Sequence, residues 1–100
     1  MSIAYVGQSR AKSGKSDELR EFLLSVVLPA VRSSSGCESC LMLQSEDDPT
    51  RFIGIEVWTS VEAHRESIKN IPAESIRQFM TLVAGPPTGG YYRTLQANPR

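Results

Sequence analysis

Arg51 to Ser67 reads RFIGIEVWTSVEAHRES, and the fold turns on how this stretch is parsed. Ile53, Ile55 and Val57 are apolar on alternating positions, the two-residue period of a strand. At Thr59-Ser60-Val61-Glu62 the pattern changes to that of a helix start. The four residues match a capping box, in which the threonine side chain and Glu62 satisfy each other's free backbone amides. Val61, His64, Ile68 and Ile71 then share a helical stripe, and Pro72 breaks it. A second helical piece follows, with Ile76, Phe79, Met80 and Val83 on one face.

Upstream of this join, Glu46-Asp47-Asp48-Pro49-Thr50 is a strong turn, because Asp accepts bonds from its own backbone and Pro presets a turn angle. Glu38 to Ser45 therefore pairs with Arg51 to Trp58 as a hairpin. Ile3 to Ser9 reads as a first strand. A helix begins at Ser16, the expected N-cap, with Asp17 and Glu18 at its positive end. Its apolar face holds Leu19, Phe22, Leu23, Val26, Val27 and Ala30. Pro29 is expected to kink or end it. Ser33-Ser34-Ser35-Gly36 and the GPPTGG run of Gly85 to Gly90 are loop signals, and no lysine and helix start follow the latter as a phosphate loop requires. Tyr91 to Leu95 is the last strand.

Strand, helix, strand, strand, helix, strand is the ferredoxin-like βαββαβ order. The expected fold is therefore α+β, a four-stranded antiparallel sheet with helices on one face. One domain is expected over residues 1–100, its core spanning about 3–95, with a frayed tail at 96–100. The other face of the sheet needs cover, and a second copy of the chain is the simplest cover. A homodimer is the expected partner.

Composition excludes several functions. Lys+Arg and Asp+Glu both number 11, so the formal charge is zero. No stretch is basic enough to track a nucleic-acid backbone or an anionic membrane surface. Apolar runs fall short of the roughly 20 residues of a membrane helix, and the N-terminus is too weakly apolar for a secretion signal. These features and two cysteines without a disulfide framework point to the cytoplasm.

Cys37-x-x-Cys40 offers a redox dithiol or half a metal site. Zinc needs about four ligands, however, and the chain has one histidine and no further cysteine. Strand alternation would aim the two sulfurs at opposite faces, which favours ordinary buried thiols and no metal. Glu56 sits inside an apolar strand. Pointing inward, it would have a raised pKa and could act as a base; otherwise it forms a cross-strand pair with Arg51 or Arg93 or lies exposed. Trp58 shares its face, as core or as a stacking wall for a flat ligand. His64, alone on an apolar stripe, is a satisfied core residue or a base. Tyr5, Arg77, Tyr91 and Arg93 complete the pocket candidates.

Gly36-Cys37, then Gln44-Ser45-Glu46-Asp47-Asp48-Pro49, then Phe52 and Glu56-Val57-Trp58-Thr59-Ser60-Val61-Glu62-Ala63 occur in an order and spacing that resembles the antibiotic biosynthesis monooxygenase domain family. The likeness runs from about Ile3 to Leu95. It implies a dimeric α+β barrel with a cavity between sheet and helices in each subunit. It also implies, for some relatives, oxidation of aromatic polyketides or hydroquinones by molecular oxygen without metal or flavin, electrons coming from the substrate's own carbanion. Other relatives degrade haem or handle small signalling molecules. This chain departs from the pattern. Relatives' histidines fall where it has Ser67 and Ile71, and His64 takes a slot usually held by a bulky apolar or aromatic residue. No catalytic histidine carries over, and haem degradation is disfavoured. Trp58, then Glu56, transfer best as cavity lining.

The expectation is a cofactor-independent monooxygenase acting on a small planar aromatic or quinol-like substrate. Glu56 or His64 would take the proton, Trp58 and Tyr5 would wall the pocket, and Arg77 or Arg93 would steady negative charge. The alternatives are a non-catalytic small-molecule-binding or stress-related dimer of the same fold, and a small isomerase.

Overall fold

The computed structural model describes residues 2–95; the expected tail at 96–100 lies outside the described residues. Four strands form the sheet: β1 (Ile3–Arg10), β2 (Cys37–Gln44), β3 (Arg51–Trp58) and β4 (Thr88–Arg93). Their order is β2-β3-β1-β4, every neighbour antiparallel. That is the ferredoxin-like order expected from the sequence, with helices α1 (Ser16–Phe22), α2 (Leu28–Arg32), α3 (Val61–Lys69) and α4 (Ala73–Leu82) joining the strands.

The first helix departs from expectation at its start. Lys15, not Ser16, takes the N-cap position, and no side chain caps there. Pro29 does not end the helix. Leu23–Val27 widens into a π-helical turn, with the Leu28 amide reaching the Leu23 carbonyl, and α2 then runs on through Pro29 to Arg32. The wider turn moves the preceding carbonyls away from the proline ring, which would crowd a regular α-turn.

At the start of α3 the cap sits one residue later than the capping box suggested. Ser60 is extended (φ −163°, ψ 164°) and its Oγ accepts from the Ala63 amide at 3.0 Å. Serine and threonine both suit an N-cap, so local chemistry alone did not choose between adjacent positions. Thr59 instead donates its amide to the Gly36 carbonyl at 2.8 Å. This docks the loop before β2 onto the β3–α3 join. Gly36 has φ +88°, and a Cβ there would lie 2.7 Å from the Cβ of Ala63. Both conditions require glycine.

The last strand begins at Thr88 instead of Tyr91, so Thr88-Gly89-Gly90, expected as loop, lies in the sheet. The reason is tertiary. A Cβ on Gly89 would meet the Tyr5 hydroxyl at 2.0 Å, so the strand needs a residue without a side chain at that point.

Register assigns the faces. Ile3, Tyr5 and Gly7 of β1 pair with Trp58, Glu56 and Gly54 of β3, and Tyr5 and Gly7 also pair with Tyr91 and Gly89 of β4. These residues share the face that packs on the helices. Beneath the helices a core forms from Ala11, Leu19, Phe22, Leu23, Phe52, Leu82 and Val83, with Val27 and Phe79 against it. An Ala11–Val83 bridge ties the end of α4 to the end of β1. The opposite face carries Val6, Leu41, Leu43, Ile53, Ile55, Val57 and Tyr92. Leu41 is 53% and Tyr92 59% exposed there.

Candidate active site

All four strands of the sheet meet the helices over a cleft of about 260 Å³. Its sheet side is built from Tyr5, Gly7, Met42, Phe52, Gly54 and Glu56, and its helix side includes Phe22, Val27, Ile76 and Phe79. The two phenyl rings of the helix side stack on each other, centroids 6.2 Å apart. Among the described residues lining it, Glu56 is the one carboxyl and there is no lysine, arginine or histidine. The walls are otherwise almost wholly apolar, the usual character of a small-molecule pocket.

Glu56 points inward, which resolves the open question of its direction. Its partner across β1 is Tyr5. Burial pushes its carboxyl above the ordinary carboxylate range, and a hydrogen bond from Trp58 opposes the shift. Trp58 Nε1–H donates to Glu56 Oε1 at 3.0 Å. The indole itself is fully buried and lies behind the cleft, where it orients Glu56.

Behind Glu56 lies His64, 5% exposed and the one polar residue in the buried set. Its Nε2 is 3.8 Å from Glu56 Oε1 and its Nδ1 is 2.7 Å from the Tyr91 hydroxyl. The separation from Glu56 is within ion-pairing reach. Burial, though, raises the carboxyl pKa and lowers the imidazole pKa, with Arg65 lowering the latter further. Both shifts favour the neutral forms and so weaken the contact as an ion pair. A neutral imidazole whose Nδ1 accepts from Tyr91 turns its Nε2–H towards Glu56.

Aromatic rings fix this histidine. Tyr5 stacks on it at 4.1 Å, and Trp58 and Tyr91 meet it edge-on at 5.4 and 5.3 Å. Arg65 sits 5.7 Å above the Tyr91 ring. Burial also raises the Tyr5 pKa, with the charge of Glu56 adding to it, so Tyr5 keeps its proton.

Of the seven residues singled out in the sequence, Tyr5 and Glu56 line the cleft, while Trp58, His64 and Tyr91 form a layer behind them. Arg77 lies apart, exposed on α4 and paired with Glu74. Arg93 lies at the far end of β4 opposite Ile3.

The cysteines need a correction. A bulge between Cys37 and Ser39 absorbs one residue, so Cys37 pairs with Trp58 and Cys40 with Glu56. Both therefore share one face, contrary to simple alternation. Neither is fully buried. Burial, then the charge of Glu56, raises both thiol pKa values, that of Cys40 to about 11, which keeps them protonated and weakly nucleophilic. Among the described residues, no group of three or more His, Cys, Asp or Glu side chains could hold a metal ion.

Sequence reading missed the glycines. Gly54, Gly7 and Gly89 stand side by side across β3, β1 and β4 on the helix-facing side. The signal was present for Gly7 and Gly54, each inside an expected strand, since an interior strand glycine marks a close approach or an open space; Gly89 fell in a stretch expected as loop.

Sheet order, helix layer and cleft define an α+β protein of ferredoxin-like topology with a single carboxyl at the end of an apolar slot. The sequence model of the antibiotic biosynthesis monooxygenase family matches residues 2–79, and the chain belongs to that family. SnoaB, a cofactor-independent oxygenase from Streptomyces nogalater, superposes with a TM-score of 0.83 at 17% identity, over 99% of this chain and 98% of that one. A candidate antibiotic biosynthesis monooxygenase from Chloroflexus aurantiacus gives 0.79 at 25% identity over 99% and 98%. A Mycobacterium tuberculosis protein gives 0.80 at 20% over 99% and 100%. Among curated proteins none matches the sequence.

Proposed function

We propose that the protein is a cofactor-independent monooxygenase of a small planar aromatic or quinol-like compound, with Glu56 as the base. The observation that carries this reading is a buried carboxyl, held by Trp58, as the one acid of an apolar cleft. A base works best when its pKa lies near that of the proton it removes, and burial moves Glu56 in that direction.

The substrate enters neutral, because no cation in the cleft wall would draw in an anion. Glu56 takes a proton from a ring CH₂ or its enol hydroxyl, leaving a delocalised carbanion. The carbanion supplies the electrons to molecular oxygen, and a C–O bond forms. Glu56 returns its proton to the peroxide, giving a hydroperoxide. Loss of the remaining hydrogen on that carbon breaks the O–O bond, leaving a carbonyl and one water. Fixed dipoles such as the Tyr5 hydroxyl and the apolar walls favour the spread charge over bulk water.

This family's fold and the exposed apolar sheet face support a homodimer formed through those faces, since a patch of this kind marks an interface. No described helix is long and apolar enough to cross a membrane.

The test is oxygen uptake by the purified protein with a panel of anthrones and hydroquinones. Uptake with one oxygen atom in product, lost in Glu56→Gln, is the expected result. Uptake that survives Glu56→Gln would remove Glu56 from its role. A second reading, binding without turnover, draws on the same scarcity of ionisable groups in the cleft. It predicts tight binding of these compounds and no uptake.

A further inference from the structure

The cleft owes its open floor to two glycines that the fold itself does not require. Gly7 and Gly54 pair directly across β1 and β3, on the helix-facing side, and both line the cleft. Neither has a positive φ; Gly14 and Gly36 are the positive-φ glycines among the described residues. A Cβ on Gly7 would sit 3.4 Å from the Tyr5 ring, an ordinary contact. A Cβ on Gly54 would sit 3.3 Å from the Met42 sulfur, the yielding end of a flexible side chain. Gly89, in the same row, differs, because the Tyr5 hydroxyl fills its Cβ position.

Glycine weakens a strand interior, and at these two positions the backbone conformation does not call for it; a Cβ at Gly7 meets an ordinary contact, and one at Gly54 asks the Met42 thioether to give by a few tenths of an ångström. What their missing side chains do is leave open a strip of sheet between Met42 and Tyr5. Along β3 the next side chains on this face are Phe52 and Glu56, four residues apart, or about 13 Å at the usual rise per residue. Between them on β3 lies Gly54, and the Met42 thioether and the Tyr5 ring border the backbone of the two glycines. Above it the helix layer presents Phe22 and Phe79. The space is thus a slot with a flat floor, an aromatic roof and Glu56 at one end.

We propose that Gly7 and Gly54 set the specificity of this cleft, admitting a fused aromatic ring system of about two or three rings that lies parallel to the sheet with a hydroxyl or carbonyl edge towards Glu56, and excluding puckered rings of the same size. This rests on the reading of the cleft as the ligand site, but not on any reaction there. A flat ligand reaches the peptide planes and the phenyl rings together. A puckered one of equal carbon count cannot, and neither can a flat one once a methyl group stands on the floor.

The experiment measures binding of 1-naphthol and of its puckered analogue 1,2,3,4-tetrahydro-1-naphthol by calorimetry. The proteins compared are the native chain, Gly7→Ala, Gly54→Ala and, as control on the opposite sheet face, Gly90→Ala. The native protein should prefer 1-naphthol by about tenfold or more. Each floor variant should lose about tenfold in affinity for 1-naphthol, with the preference reduced and thermal unfolding unchanged or raised; Gly90→Ala should bind as the native protein does. Equal binding of the two compounds, unchanged affinity in the floor variants, or no binding by the native protein would overturn the proposal. So would failure of both floor variants to fold, since the glycines would then be structural. Flat-ring selectivity without oxygen uptake on the anthrone and hydroquinone panel leaves the floor standing and removes the oxygenase. Uptake without selectivity does the reverse.

Discussion

The indole N–H of Trp58 and the carboxyl of Glu56, two residues apart on β3, meet at 3.0 Å on the helix-facing side of the sheet. One is fully buried, and the other forms the polar end of the cleft. The core thus holds the candidate base in place through a single donor. Replacing Trp58 by Phe should leave most of the packing but strip Glu56 of that donor, at a cost of about 1–3 kcal/mol. Trp58→Ala should cost about 3–5 kcal/mol, since the indole has no exposed surface. Urea unfolding of both variants checks this; a neutral Trp58→Phe would mean the bond contributes nothing.

The raised pKa of Glu56 gives a pH signature. Folding favours its protonated form, so its contribution is most favourable below the unfolded pKa of about 4.3 and is lost as pH rises through the higher folded value. Glu56→Gln should therefore raise the unfolding temperature at pH 7 and make little difference near pH 4. Thermal scans at both pH values decide it. A variant destabilised at pH 7 would show that the Trp58 bond, not desolvation, dominates.

His64 titrates with the opposite sign. Its folded pKa is lowered, so folding favours the neutral ring and stability falls as pH drops from about 6.5 through the folded value. As the one histidine of the chain, it gives an unambiguous NMR signal. Its ring should titrate below the ordinary value in the native protein. Titration at or above that value would point to a charged pair with Glu56.

Gly36→Ala tests the docking of the loop onto α3. A left-handed alanine costs roughly 1–2 kcal/mol, and the approach of 2.7 Å to Ala63 adds to it. A loss of at least about 2 kcal/mol in chemical unfolding is expected. Gly14→Ala, with equally positive φ and nothing nearby, should show the backbone cost alone.

The bare sheet face makes a prediction about assembly. Leu41 and Leu43 lie on it, away from the cleft. Leu41→Lys should place a charge in the proposed interface and convert a dimer to a monomer in light scattering at micromolar concentration. A native chain that is already monomeric would refute the interface.

How much of this could be read without coordinates varied by kind. Strand order, the hairpin and the sheet-to-helix join at Thr59-Ser60 were legible, because periodicity and turn chemistry act within a few residues. Boundaries set by distant partners were not. Thr88-Gly89-Gly90 looked like loop until Tyr5 claimed the space above Gly89. Whether Pro29 would kink or stop its helix was open; a π-turn carries the helix through. Alternation failed at Cys37 and Cys40, where a bulge removes one residue from the count.

Local pattern was enough to place the secondary elements, the family likeness, and Glu56 and Trp58 on one face of their strand, but not to say which way that face points. It left open whether they touch. Pairing between strands far apart in the chain decided that Glu56, Trp58, His64 and Tyr91 form one linked set, that Arg77 stands elsewhere, and that three glycines fall in one row. Neighbours along a chain interact through short-range geometry that residue types reveal, whereas an empty space is made by what several strands and helices jointly fail to fill, and no single segment encodes it.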